Sequence, residues 1–402
     1  MYFFDSLQST KFFSVFWAIT IYIKTFMTIG ILCEPLFENR VSLVPDHVSI
    51  LKKLGAQVLV EYKAGIRAFA SDSMYEQHGA GITFREDLLK TADVLLSIHP
   101  LPIDDVNLVK SAAVLLGVYS PLTQVPMIKK WAEKGLTTFS MDMLPRSTRA
   151  QSMDVLSSQS NIAGYKAVLL AAMQLPKYFP MFMTAAGSVA PAKVMILGAG
   201  VAGLQAIATA RRLGAVVEVF DTRSAVKEEV NSLGAKFIEV DGALDASKAG
   251  GYAVEQTEEY KQKQREIIAE VAAKADVIIS TAQIPGKKAP ILLPDSVLDS
   301  MKTGSIIIDL ASATGGNTEQ TKDNETVVYK NVTIIGNSNL QSTMSADASK
   351  LYGKNILNFL QLIIDPEGQL NLNLEDDLVK GTCITHNGEI CNERVRGSEL
   401  NA

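Results

Sequence analysis

Short runs of Val, Ile and Leu alternate along the chain with segments whose apolar residues recur at helical spacing. In the first half the runs are TIGILCE, AQVLVEY, DVLLSIH, AAVLLGVY and TTFSMD; in the second they are VMILGAG, VVEVFDT, KFIEV, DVIISTA, SIIIDLA and VTIIGN. Runs that stay apolar at successive positions predict strands buried on both faces, as in parallel sheets. Between them, DHVSILKKLGA puts Val48, Leu51 and Leu54 on one face and predicts an amphipathic helix. Such alternation means an α/β chain with right-handed crossovers. The rhythm runs twice, so the fold expected is α/β: two doubly wound Rossmann-like domains with parallel sheets, joined by long helices. Ser157 to Met173 reads as the first joining helix. Ala348 to Ile364 reads as a second, with Leu351, Ile356, Phe359, Leu360 and Ile363 forming its buried face. The boundaries expected are residues 27–156 with 340–380 for the first domain and 157–339 for the second. The chain turns polar from Asp365 and is expected to be loosely held there, with 381–402 a polar tail.

Composition narrows the function classes. The chain has 402 residues, 47% hydrophobic and 20% charged, which is ordinary globular composition with room for two or three cores. Net charge is −5, so no basic field for nucleic acid is present. The three cysteines, Cys33, Cys383 and Cys391, make no disulfide framework and fit a reducing compartment. The histidines His47, His78, His99 and His386 are scattered without metal-ligand spacing, and no metal is expected. Near the start, FFSVFWAITIYI is too short to span a bilayer. Residues 1–26 read first as an extension outside the fold, ahead of the first strand, with membrane association the next reading and a signal peptide a third that lacks a small-x-small cleavage site; no other stretch is a transmembrane candidate.

The strongest motif lies in VMILGAGVAGLQAIATARRLGAVVEVFDT. Gly198, Gly200 and Gly203 form G-x-G-x-x-G directly after a strand and directly before a helix. The first glycine permits the turn, the second lets backbone approach a pyrophosphate, and the third lets helix pack on strand. The helix N-terminus then offers N–H groups and a positive dipole end to the phosphates. Asp221 closes the next strand, eighteen residues after Gly203. A carboxylate there accepts from the adenosine ribose hydroxyls and repels a 2′-phosphate, favouring NAD over NADP. Arg223 complicates this, because an arginine there can accept a 2′-phosphate.

A second stretch, RSTRAQSMDVLSSQS, gathers arginines, glutamines, an aspartate and hydroxyls just before a helix. By itself it is compatible with a helix cap, since Asp154 and Ser157 are good capping types. A third, VDGALDASKAGGYAVEQ, carries Gly242, Gly250 and Gly251 without hydrophobic periodicity, and reads as a mobile loop.

Together these residues resemble a known family. PRSTRAQSMDVLSSQSNIAGYKAV paired with GAGVAGLQAIATARRLGA is similar to the NAD(H)-binding component of proton-translocating NAD(P) transhydrogenases, the first domain of their alpha subunit. GGYAVE, QIPGKKAP, GSIIIDLA and THNGEI match as well, and the likeness runs from about Met27 to about Ile390. The resemblance implies hydride exchange between NAD(H) bound here and NADP(H) bound on a partner beta subunit. It implies coupling to proton passage through a small membrane-spanning subunit, and a transhydrogenase of the Si-specific, Re-face hydride-transfer class. It further implies a homodimer, cytoplasmic and peripheral to the inner membrane through its partners.

The family's nicotinamide loop maps onto Arg146, Gln151 and Asp154, expected as the catalytic set, with Ser157 beside them. A carboxamide offers one acceptor and two donors, so Arg146 can donate to its oxygen or the pyrophosphate, and Asp154 can accept from its N–H. Gln151 is expected toward the second nucleotide or a ribose hydroxyl. The cofactor contacts implied are Arg146, Arg149, Ser157, Gly198, Ala199, Gly200, Val201, Gly203, Asp221, Thr222, Arg223, Gly251, Tyr252, Gln264 and Gln283. Gln283 is the weaker transfer, since the family more often has an apolar residue there. Tyr252 would belong to a loop closing over the nucleotide.

Two rivals remain. Alanine dehydrogenase shares the fold and the ENRVSLVP region around Arg40, but needs a lysine and a histidine to handle a keto acid. DVLLSIHPLPIDDV has no lysine, and GVYSPL has Tyr119 and Ser120 where the histidine is expected; His99 stands in another segment. An NAD-sensing protein without catalysis is the other, since fold never fixes function.

Overall fold

The structure is a computed structural model, and it describes residues 27–240, 257–284 and 286–399. The extension 1–26, Gly251 and Tyr252, and nearly all of the expected mobile loop lie outside the described residues. Six strands come first: β1 Thr28–Ile31, β2 Gln57–Glu61, β3 Gly81–Thr83, β4 Val94–Leu96, β5 Val114–Gly117 and β6 Thr137–Ser140. A small hairpin follows, β7 Phe182–Thr184 and β8 Gly187–Val189. Then come β9 Lys193–Leu197, β10 Val216–Phe220, β11 Lys236–Phe237, β12 Val277–Ser280, β13 Ile306–Asp309, β14 Glu325–Tyr329 and β15 Val332–Gly336. The last two strands are β16 Cys383–His386 and β17 Glu389–Ile390, followed by a short helix, Glu393–Glu399.

Two large sheets result, ordered β17-β16-β6-β5-β4-β1-β2-β3 and β11-β10-β9-β12-β13-β15-β14. In each, the first strand sits centrally and the strand order reverses beside it, between β1 and β4 and between β9 and β12. Ile29 pairs with Val58 on one side and Val94 on the other, and Val194 likewise with Val217 and Val277, all in parallel. The central strands are buried along their whole length, with separate apolar clusters on the two faces of each sheet. This is the doubly wound α/β architecture expected. Antiparallel pairs occur at the edges, β14 on β15 and β16 on β6.

Two helices tie the sheets together. Val155–Gln174 starts with Asp154 as its cap, and Gly164 faces the helix Val201–Arg212 so closely that a Cβ there would overlap the Ala202 carbonyl oxygen. Ser345–Ile363 returns the chain to the first sheet with Ile356, Phe359, Leu360 and Ile363 fully buried. Leu351, expected on that face, is instead 44% exposed, because it falls at the edge of the stripe that Tyr352, Ile356, Phe359 and Ile363 bury.

The carboxyl-terminal segment is not a loose tail. β16 adds to the first sheet beside β6, and Cys383, Ile384 and Thr385 are buried. Thr385 Oγ1 lies 2.8 Å from Thr138 Oγ1 and donates to the Leu136 carbonyl at 2.7 Å. The helix Asp377–Thr382 enters that strand directly, with Asp376 as its cap. Polar residues on the solvent side of a short edge element had made the segment read as a tail.

Candidate functional site

The glycine loop occupies the reversal point of the second sheet, between the ends of β9 and β12. Ligands in such sheets bind at the carboxyl ends of the strands where the order reverses. Gly198 takes φ +100°, a left-handed conformation that favours glycine. A Cβ on Gly203 would overlap the Gly198 carbonyl oxygen, so the third glycine is a packing requirement. Gly200 differs: a Cβ there would meet no atom within 4 Å. Nothing in the fold requires its missing side chain, and it caps the helix Val201–Arg212 without a side-chain partner. The helix therefore starts beside open space, the arrangement that suits a phosphate.

Asp221 directly follows β10 and is 8% exposed. It accepts from the Ala199 N–H at 2.7 Å, which ties it to the glycine loop. It also accepts from the Arg223 backbone N–H at 2.8 Å, from Nε at 2.9 Å and from Nη2 at 2.7 Å. Arg223, weighed above as a 2′-phosphate acceptor, is thus turned onto the carboxylate, and that bond raises its pKa above the usual guanidinium value. Ala199 is buried, Thr222 half-buried, and Val201 is 40% exposed at the mouth of the loop.

The opposite lip is a hydrogen-bonded knot that sequence reasoning missed. Asp309, at the end of β13, accepts from the N–H groups of Ala311 and Asn317 at 2.9 and 2.6 Å and from Thr321 Oγ1 at 2.7 Å. Burial raises its pKa against those bonds. Asn317 donates to the carbonyls of Ala282 and Pro290 and accepts from Ser280. This fixes the turn after β12, where Gln283 donates to the Leu310 carbonyl at 2.9 Å. The signal available was an aspartate closing an otherwise apolar strand, SIIID. Gln264 lies half-buried on the helix Glu258–Ala272.

The loop before the joining helix is a short 3₁₀ segment, Thr148–Met153, pinned by buried Ala150 and Met153. Its Ser152 carbonyl accepts from Asn355 and Asn358 of the return helix, each at 2.8 Å. Asp154 accepts from Ser157 twice, from N–H at 2.9 Å and from Oγ at 2.5 Å. These two residues, expected at the nicotinamide, cap the helix here. Arg149, expected as a nucleotide contact, instead binds Asp376 at 2.5 Å and Asp377 at 3.1 Å. Arg146 and Gln151 are exposed on the same loop.

The first sheet's reversal point presents a different surface. Arg40 is 4% exposed, with its guanidinium on Glu38 at 2.9 and 2.7 Å and on Gln159 at 2.8 Å. Burial alone would raise Glu38, but hydrogen bonds from Arg40 and His99 outweigh it and hold the carboxyl well below the usual range. Tyr119 is fully buried with its hydroxyl 3.1 Å from Ser97 Oγ. Arg40, the group a keto acid would need, is already bonded inside the protein.

Against known families, residues 30–163 match the model described as alanine dehydrogenase/PNT, N-terminal domain, and residues 167–393 match its C-terminal counterpart. The chain belongs to the alanine dehydrogenase/PNT family. Within this family it is 45% identical over 369 residues to the first part of the NAD(P) transhydrogenase subunit alpha of Rhodospirillum rubrum, covering 90% of this chain and 96% of that protein. It is 40% identical to the NAD(P) transhydrogenase subunit alpha of Haemophilus influenzae, covering 88% of this chain and 69% of that longer subunit. The solved transhydrogenase from Sinorhizobium meliloti superposes with a TM-score of 0.83 at 44% identity, over 90% of this chain and 99% of that one. An L-alanine dehydrogenase structure shares the fold, with a TM-score of 0.77 at 24% identity, covering 93% of this chain and 99% of that one. The kinship supports an NAD(P) oxidoreductase, and within that class an NAD(P) transhydrogenase alpha subunit. Among the described residues, no helix is long and apolar enough to cross a membrane.

Proposed function

We propose that this chain is the NAD(H)-binding subunit of a proton-translocating transhydrogenase. It binds NADH on the glycine loop and passes hydride to NADP held on a partner beta subunit, in the Si-specific, Re-face class. A small membrane-spanning subunit carries the coupled protons and keeps this chain peripheral to the membrane, on the cytoplasmic side. The observation that carries the reading is the open space over Gly200 at a helix N-terminus, beside a rigidly pinned loop on which Arg146 and Gln151 are exposed. The joining helix links the two: Asp154 stands ten residues from Gly164, about 15 Å along the axis at ~1.5 Å per residue. Asp221 receives the adenosine ribose hydroxyls at the far end of the nucleotide. At the near end Arg146, Gln151, Asp154 and Ser157 orient the ring. Hydride transfer needs donor and acceptor carbons about 3–3.5 Å apart, so orientation matters more than acid–base chemistry. Arg223, Thr222, Val201, Ala199, Gly251, Tyr252, Gln264 and Gln283 complete the proposed nucleotide contacts, and Arg149 acts on them through the loop it holds.

The test mixes the purified chain with the NADP-binding component of a transhydrogenase and follows NADH-driven reduction of an acetylpyridine nucleotide analogue. Turnover that requires the partner is the expected result. Turnover with pyruvate and ammonium in the partner's absence would establish the dehydrogenase reading instead, and NADH binding with neither activity would establish the sensor.

A further inference from the structure

The carboxyl-terminal hairpin carries chemistry unrelated to nucleotide binding. β16 opens on Cys383, Cys391 directly follows β17, and their sulfurs stand 3.4 Å apart. The Cys391 N–H donates to the Ile384 carbonyl at 2.9 Å, which fixes the backbone approach. Cys383 is 1% exposed and packs in the core of the first domain, whereas Cys391 is half-buried and reaches the surface. We propose that Cys383 and Cys391 form a redox-reactive dithiol, in which Cys391 meets the oxidant and Cys383 resolves it into an intramolecular disulfide.

The electrostatics agree with that division of labour. The hydrogen bond with the Cys383 thiol, helped by the Cys391 backbone N–H and the Arg396 guanidinium, holds Cys391 below the usual thiol range despite burial. The same contact, then burial, pushes Cys383 up. Cys391 is the more exposed of the two and so meets the oxidant first, reacting as its thiolate. With a peroxide as oxidant, the Cys391 thiolate takes one oxygen and becomes a sulfenic acid, and the departing hydroxide leaves as water after gaining a proton. The Cys383 sulfur then attacks the Cys391 sulfur. The S–S bond forms, the S–O bond breaks, and the Cys383 proton leaves with the hydroxyl as a second water. Two thiols are oxidised and one peroxide is reduced.

Cys33 cannot substitute for either partner. It follows β1, which lies four strands from β16 in the sheet, about 19 Å at ~4.8 Å per strand. A disulfide needs Cα atoms within about 7 Å. The dithiol also sits where oxidation would be felt: β16 continues from the helix Asp377–Thr382, Asn392 donates to the Gly381 carbonyl at 3.0 Å, and Gly381 packs on Pro145 at the base of the loop.

The experiment treats the reduced full chain with equimolar hydrogen peroxide near neutral pH, alkylates the remaining thiols under denaturing conditions, and maps the peptides by mass spectrometry. The expected result is a fall from three alkylatable thiols to one and a linked Cys383–Cys391 peptide that dithiothreitol releases. Cys33→Ser should leave the rate of linkage unchanged. In Cys383→Ala, Cys391 should accumulate as sulfenic acid, trapped by dimedone, with no link. Persistence of all three thiols, a link through Cys33, or sulfenic acid trapped at Cys391 of the unmutated chain without a link would each overturn the proposal.

Discussion

The glycines of one motif serve different masters, and single substitutions separate them. At Gly203 an added methyl overlaps the Gly198 carbonyl, so the helix must move off the strand. Gly203→Ala should cost about 1–3 kcal/mol of stability, as overpacking does, seen as a lowered thermal midpoint in the absence of nucleotide. Gly200→Ala meets no atom and has an ordinary φ of −78°. Its melting curve should stay within about 0.5 kcal/mol of the unmutated chain. Its affinity for NADH, by calorimetry, should fall at least tenfold, because the methyl occupies the approach of the phosphates. Unchanged affinity would remove the pyrophosphate from this loop. Asp221 shows the limit of reading a residue by position alone. Its strand-end placement was legible, but not that both its oxygens already hold Ala199 and Arg223.

Among the elements, the strands and the two joining helices were legible, because buried parallel strands print as unbroken apolar runs and long helices as a 3.6-residue stripe. The strands β3, β14, β16 and β17, at or next to the sheet edges, were not. β16 is four residues long and pairs with a strand more than two hundred residues earlier, and no local pattern encodes that partner. The role of Arg149 was hidden for the same reason. Its residue type fits a nucleotide equally well, and only the third dimension brings Asp376 to it. Asp376 is therefore a strut: it caps the helix Asp377–Thr382 and clamps Arg149. Asp376→Ala should lower stability by about 0.5–2 kcal/mol, the cost of a lost cap. It should also slow hydride transfer to the partner's nucleotide with little change in NADH affinity, since the glycine loop is untouched. Arg149→Ala should reproduce the slowing. If either variant binds NADH poorly and transfers normally once saturated, the strut is misassigned.

At the scale of the whole molecule, acid titrates into the first domain's reversal point. Glu34 is fully buried there, and burial, outweighing hydrogen bonds from the Ile98 and His99 N–H groups, pushes its pKa up to about 7 from an ordinary 4.5. A raised carboxyl pKa means that the folded chain keeps a proton the unfolded chain loses. This contribution is fully present below pH 4.5 and is lost as pH rises to about 7, a span worth about 3 kcal/mol. Glu34→Gln should flatten that part of the stability–pH curve in denaturant titrations between those pH values, and an unchanged slope would assign it elsewhere.

The hairpin of β7 and β8 poses the other molecular question, because it belongs to neither sheet. All of its residues are exposed, including Phe182, Met183 and Val189, with Met181 beside them and Tyr178 stacked on Phe182. An isolated two-stranded hairpin is marginal in water, and contiguous exposed apolar side chains mark an association surface. The homodimer that the resemblance implies would give this hairpin a partner, the same arm of a second copy, with each covering the other's exposed methionines and phenylalanine. Replacing both Phe182 and Met183 by aspartate puts like charges at the centre of that contact. Sedimentation should then report a monomer, against a dimer for the unmutated chain. NADH affinity should be retained, because the glycine loop lies within a single chain. A double variant that remains dimeric would place the subunit contact on another face.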